Sequence, residues 1–294
     1  MSAVAFRAAP QRTLPTASLA DRLPQWDLLS LMSRTPQLET WHVRDHASGR
    51  AWALMTLRED VPDPRSGRAQ LQVLSQACRG ASCVHLPRIE AAYLLDDPPH
   101  LLLEWLDGET LQARLTRQGI IAYRDALWIT RQCVEGLGEL LSRGFSHGRL
   151  SAEHIFLSQE GQVTLVGLES AKPDSRIVDD LERLAERLDQ TTHLDGIQTA
   201  ESIPGNSVCT DLQSLGALLY LMLTGRSAST AAMGISMGGH RGERLLPRLR
   251  SLAPHVPREA EELADRLCSA TPLRTGQTLR GLALELAGME LQSW

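Results

Sequence analysis

Lysine is almost missing from this chain. Lys172 is the single one among 30 basic residues, so nothing before it supplies an ε-ammonium. A phosphate held in that stretch would depend on arginine, with Arg34, Arg44, Arg50 and Arg58 as candidates. Cysteine is sparse and shows no C-x-x-C spacing: Cys78, Cys83, Cys133, Cys209 and Cys268 make an odd count of five. That pattern argues against a disulfide framework and a structural zinc site, and fits a reducing compartment. The nine histidines include no H-E-x-x-H; His42 and His46 are four apart, but on a predicted strand and its turn. No run of about 18 apolar residues exists, and the N-terminus lacks a cationic start followed by an apolar core, so a cytoplasmic protein without membrane insertion is expected. A net charge of −5 and a pI near 6.0 give no general pull toward nucleic acid. The local cluster Arg241, Arg244, Arg248 and Arg250 reads as a solvated face. There are no internal repeats.

What is present suits a folded core: 294 residues, of which 43% are hydrophobic. Residues 1–24, rich in Ala, Pro, Thr and Arg, read as an N-terminal tail. Strand signals follow at Thr40–Arg44, Ala51–Leu57, Ile89–Leu95 and His100–Trp105, interrupted by one helix over Arg65–Cys78. After Gly108 the pattern turns helical, as in Ala126–Arg143, where Leu127, Val134, Leu137, Leu140 and Leu141 recur at helical spacing. Strands first and helices afterwards predict an α+β protein in two unequal parts, 25–104 and 105–294.

Two runs carry the functional reading. His147-Gly148-Arg149-Leu150-Ser151-Ala152-Glu153-His154 is followed shortly by Gly167-Leu168-Glu169. They resemble the catalytic loop H-R-D-L-x-x-x-N and the D-F-G turn of Ser/Thr protein kinases, with the flavour of bacterial kinases of the eukaryotic-like type. The resemblance implies a bilobal kinase-like fold with a small β-rich N-lobe and a larger helical C-lobe. It also places Arg149 where the family keeps its catalytic Asp. A guanidinium has no lone pair with which to take a proton. His154 stands for the metal-binding Asn, and imidazole is a poor ligand for Mg²⁺. Ser151 stands for a phosphate-contacting Lys. Gly167 stands for the metal-binding Asp, with Glu169 two residues out of register.

The N-terminal half repeats the pattern. Trp52-Ala53-Leu54-Met55 resembles the strand ending in the phosphate-pairing Lys, and Met55 has no charge to offer. The glycine-rich phosphate loop falls on Ser33, Thr35 and Leu38, with Pro36 removing a further N–H. In the next helix Gln70 takes the slot of the Glu that pairs with that Lys. No cofactor and no metal are expected, and nucleotide binding is disfavoured.

The framework positions are kept. His147, Leu74, Leu168 and Asp211 match residues that stack from small lobe to large lobe in the family, and Asp211-Leu212-Gln213-Ser214-Leu215-Gly216 resembles the start of its central helix. Arg274, in Thr271-Pro272-Leu273-Arg274, matches the Arg of a late ion pair whose candidate partner is Glu201. Leu103 falls at the gatekeeper position. Phe156 lies where the family floors the adenine, facing Thr40; it either fills part of the pocket or packs in the core.

One segment has no counterpart in the family. Val178 to Leu188 reads as an amphipathic helix with Val178, Leu181, Leu184, Ala185 and Leu188 on one face. That face either covers the cleft, meets a partner, or docks on its own large lobe. Ser227 to Arg244 reads as a loop. The expectation is a catalytically inactive pseudokinase that binds another protein as a scaffold or allosteric regulator. The alternatives are a nucleotide-binding enzyme with atypical group-transfer chemistry, using His154, Glu153 or Glu169, and a regulator gated by nucleotide without turnover.

Overall fold

The computed structural model describes residues 17–173, 207–227, 247–268 and 279–293. The chain opens with a short helix, α1 (Ala17–Arg22), and then β1 (Trp26–Arg34), β2 (Leu38–Asp45) and β3 (Ala51–Leu57). Helix α2 (Arg65–Cys78) precedes β4 (Ile89–Tyr93) and β5 (His100–Glu104). The five strands form one antiparallel sheet in the order β1-β2-β3-β5-β4.

Period-two alternation gives this sheet two different faces. Leu38, Ala53, Leu101 and Leu103 join the main core with Leu71, Leu74, Ala77 and Cys78 of α2. Trp41, Val43, Trp52, Leu54 and Leu102 point the other way and form a second cluster. Leu19 and Leu23 complete that cluster, both almost fully buried. Within the stretch read as a tail, residues 17–22 form α1: an outer face carrying two tryptophans needs an apolar cover, and α1 supplies it.

The second part is mostly helical. β6 (Gly108–Thr110) leads into α3 (Leu111–Gln118), capped by Thr110, whose hydroxyl accepts from the Ala113 N–H at 3.1 Å. Helix α4 (Tyr123–Ser142) runs through the centre of the core, burying Leu127, Ile129, Cys133, Val134, Leu137 and Leu140. Then come β7 (Phe145–Ser146), a 3₁₀ turn (Ala152–His154), β8 (Ile155–Ser158), β9 (Val163–Leu165), a second 3₁₀ turn (Leu168–Ser170) and β10 (Lys172–Pro173). β6, β8 and β9 form a three-stranded sheet, and β10 pairs with β7. The last helices are α5 (Ser207–Thr224), α6 (Leu249–Leu252), α7 (Arg258–Cys268) and α8 (Leu279–Gln292). Helix α8 packs on α4 and α7 on α5. At Gly216 a Cβ would come within 2.7–2.8 Å of Leu267 and Cys268, so the absent side chain sets how closely α5 and α7 approach.

His85 joins the two parts. Its Nδ1–H donates to the Val163 carbonyl at 2.8 Å, and its Nε2 lies 3.0 Å from the Glu135 carboxylate on α4. Arg131 extends the connection, pairing with Glu135 at 2.5 Å and with Glu290 of α8 at 2.9 Å. Among the described residues no helix is long and apolar enough to cross a membrane.

Candidate functional site

The two 3₁₀ turns bring the site together. The backbone N–H of Val166 donates to the His154 carbonyl at 2.9 Å, which closes the β8–β9 hairpin and sets Gly167 beside His154. Gly167 is left-handed, with φ of 85°. A Cβ there would overlap the His154 ring and stand 2.9 Å from its Nε2. The imidazole thus occupies the space into which a side chain at 167 would project.

His154 is fixed in that position. Its Nδ1–H donates to the Arg149 carbonyl at 2.7 Å, and the Ser151 hydroxyl lies 2.9 Å from the same nitrogen. Because a carbonyl oxygen only accepts, the proton sits on Nδ1. Nδ1 therefore has no lone pair with which to deprotonate Ser151. Arg149 itself is exposed. Among the described residues no group of three or more His, Cys, Asp or Glu is placed to hold a metal ion.

Behind this turn lies a hydrogen-bonded frame. Asp211, at the start of α5, accepts from the His147 N–H at 2.8 Å and from the Gly148 N–H at 2.9 Å. Nε2–H of His147 donates to the Val166 carbonyl at 3.0 Å. Burial, with His154 alongside, pushes His147 down to about 4. Burial pushes Asp211 up to about 6, against the opposing pull of its two N–H donors. Leu74 and Leu168 are buried in the same core, where α2 meets the second 3₁₀ turn.

The cavity between the sheet and this turn is small, about 50 Å³. Ser33, Thr35, Leu38, Thr40, Ala53, Met55, Leu74, Leu103, Gly167 and Glu169 line it. Pro87, Leu106 and Val166, which sequence reasoning missed, line it too. Their membership depends on tertiary packing and leaves no local signal. Phe156 does not line it; its ring is buried under Gly108 in the three-stranded sheet, the core-packing alternative. Gln70 does not line it either. Helix α2 turns Leu71 and Leu74 inward, and the Gln70 amide oxygen is buried without a hydrogen-bond partner.

The turn between β1 and β2 has no donors to spare. The N–H groups of Leu38 and Gln37 both donate to the Thr35 hydroxyl, at 2.9 and 3.3 Å, and the Thr35 N–H donates to the Leu38 carbonyl at 2.8 Å. Pro36 has none. The four arginines considered for phosphate stand outside the cavity lining. Arg34 pairs with Glu39, Arg50 stacks over Trp52, and Arg58 binds the Thr35 carbonyl and Asp60. His46 pairs with Asp27, whereas His42 stacks on Trp105 at 3.8 Å, so the two do not share a ligand.

Comparison with known proteins bears on this arrangement. No family model matches the chain. It is 26% identical over 212 residues to a probable serine/threonine-protein kinase of Streptomyces coelicolor, covering 69% of this chain and 30% of that protein. Identity to the serine/threonine-protein kinase PknL of Mycobacterium tuberculosis is 27% over 201 residues, or 64% of this chain and 48% of PknL. A third relative, 3-phosphoinositide-dependent protein kinase 1 of Arabidopsis thaliana, is 27% identical over 184 residues, with 60% and 36% covered. The chain is a distant homologue of Ser/Thr protein kinases. It spans less than half the length of each of these three relatives. The α+β architecture, an antiparallel five-stranded sheet followed by helices, is consistent with a kinase fold. Arg274, Glu201 and the apolar face of Val178, Leu181, Leu184 and Leu188 lie outside the described residues of this kinase homologue.

Proposed function

We propose that this kinase homologue is a pseudokinase: it transfers no phosphoryl group and works by binding another protein as a scaffold or allosteric regulator. The observation that carries the proposal is the His154 imidazole standing where a side chain at residue 167 would need to be. Phosphoryl transfer relies almost entirely on positioned charge: metal ligands, a phosphate-pairing cation and a base. The residues at those places are His154, Gly167, Met55 and Arg149, and none of them does that work. A Mg²⁺-nucleotide does not suit this set. The cavity of about 50 Å³ compares with the roughly 300–1,000 Å³ of ordinary ligand clefts, and the turn above it has spent its N–H groups.

The framework, by contrast, is intact where it holds shape. Asp211, His147, Leu74 and Leu168 are buried and connected, which supports a role in presenting a surface. The alternative, atypical group transfer using His154, Glu153 or Glu169, requires a saturable, metal-dependent nucleotide site; His154 could not activate Ser151 through Nδ1, whose proton goes to the Arg149 carbonyl. The deciding experiment incubates purified protein with radiolabelled ATP, Mg²⁺ or Mn²⁺ and a generic protein substrate, beside a calorimetric titration of ATP with and without metal. No incorporation and no heat up to millimolar nucleotide are expected. Metal-dependent binding with turnover would sink the reading, and binding without metal would favour the nucleotide-gated regulator.

A further inference from the structure

The cleft has also changed its chemical sign. Its wall is apolar, formed chiefly by Leu38, Ala53, Met55, Leu74, Leu103 and Val166, and among the described residues no lysine or arginine lines it. The charged groups that do are carboxylates. Glu104 is exposed and marks the mouth. Glu169 is 9% exposed and lines the cavity, its carboxylate oxygens touching solvent at the cleft. No hydrogen bond or ion pair ties Glu169 to any of the described residues, although Glu39, the other buried glutamate, has Arg34 at 3.2 Å. A carboxylate beside an apolar wall with only water as its partner is matched by a ligand that brings a cationic or N–H-donating group and covers that wall.

We propose that the cleft is a binding site for a small, largely apolar ligand carrying one cationic or N–H-donating head, which Glu169 holds. The inference rests on the reading above that the cleft does not take nucleotide, and it adds what the cleft takes instead. The cavity has room for the head alone, so the apolar body lies outside it, beside the half-buried Leu106. A planar amidine is the best-matched head, since its two parallel N–H groups meet both carboxylate oxygens. Phosphate-bearing ligands are repelled by the same carboxylate.

The test titrates the full chain with benzamidine, its neutral isostere benzamide, benzoate and ATP, by calorimetry and by ligand-observed saturation transfer. Benzamidine should bind at least tenfold more tightly than benzamide, with benzoate and ATP silent. Glu169→Gln should bring benzamidine down to the level of benzamide, and Leu103→Phe, which fills part of the cavity, should weaken both. If Glu169→Gln does not fold, Glu169→Asp retains the charge one methylene further back and should keep the preference for benzamidine. Equal binding of benzamidine and benzamide to the native chain overturns the proposal, as does a preference that survives Glu169→Gln. Silence from every compound overturns it while leaving the pseudokinase reading standing; saturable ATP binding with benzamidine silent overturns both.

Discussion

His154 and Gly167 are sterically complementary: the imidazole of one fills the volume that a Cβ on the other would require. Thirteen positions apart in sequence, they meet because the β8–β9 hairpin folds one turn over the other. The two positions that the kinase resemblance assigns to metal ligands thus form one packing arrangement, and changing either alone has a structural penalty.

Gly167→Asp alone should cost about 2–4 kcal/mol, from overpacking against His154 and from a left-handed backbone that a Cβ opposes. With His154→Asn also present, the ring that obstructs it is gone. The double variant should then be more stable than the sum of the single effects by at least about 1 kcal/mol. Urea denaturation of the four proteins measures this coupling, and strictly additive effects would refute the packing argument.

His147 and Asp211 give a pH signature in which two opposing slopes overlap. The carboxyl of Asp211 is raised to about 6, so between about pH 4 and 6 the folded chain keeps a proton that the unfolded chain has lost. Its contribution is complete below the unfolded value and disappears as pH rises through 6. His147 is lowered to about 4, so over the same window the unfolded chain holds the extra proton and stability rises with pH. Each effect is on the order of 3 kcal/mol, and in the native chain the two oppose each other. Asp211→Asn should lose about 1–3 kcal/mol through its backbone bonds, then regain ground on the native chain as pH goes from 4 to 6. His147→Phe should do the reverse. Urea melts at pH 4, 5 and 6 check both, and parallel curves for all three proteins would contradict the assignment.

Much of this was legible in the sequence, and the rest was hidden for definable reasons. Helix α2 matches the expected Arg65–Cys78 end to end, because its apolar positions recur over nearly four turns. Strand β3 matches its expected bounds for the analogous period-two reason. Helix α1 was illegible: six residues give too few turns for a period to emerge, and its apolar residues acquire meaning only against Trp41 and Trp52. At the site, Met55 and Gly167 were named from motif spacing, and both line the cavity. Gln70 was placed by helical phase, where a single-position shift rotates a side chain by about 100°, and it lies off the cavity. The spacing identified His154 and Gly167 separately; that one ring fills the other's space is a tertiary fact.

The outer cluster supplies a stability prediction. Leu19 is fully buried against Trp41, Trp52 and Leu102, although it lies in a stretch with the composition of a tail. Leu19→Ala should cost about 2–4 kcal/mol and red-shift tryptophan emission as water reaches the two indoles. Denaturant melts followed by fluorescence report both together. A change below about 0.5 kcal/mol, with emission unmoved, would mean that α1 does not cover the sheet in solution.

Met55 and Glu169 line the same cavity of about 50 Å³, so an uncharged thioether shares it with a carboxylate that no described residue pairs. Introducing a cation there tests the carboxylate without any ligand. Met55→Lys puts an ammonium among Leu38, Leu103 and Val166, where desolvation opposes it and Glu169 is the counter-charge at hand. With Glu169 present the variant should lose about 1–2 kcal/mol. Combined with Glu169→Gln the ammonium has no partner, and the loss should exceed the sum of the single effects by about 1–3 kcal/mol. Denaturant melts of the native chain, both single variants and the double variant give this coupling directly. A coupling near zero would mean that Glu169 does not command the cavity electrostatically, and the preference for a cationic head would lose its physical basis.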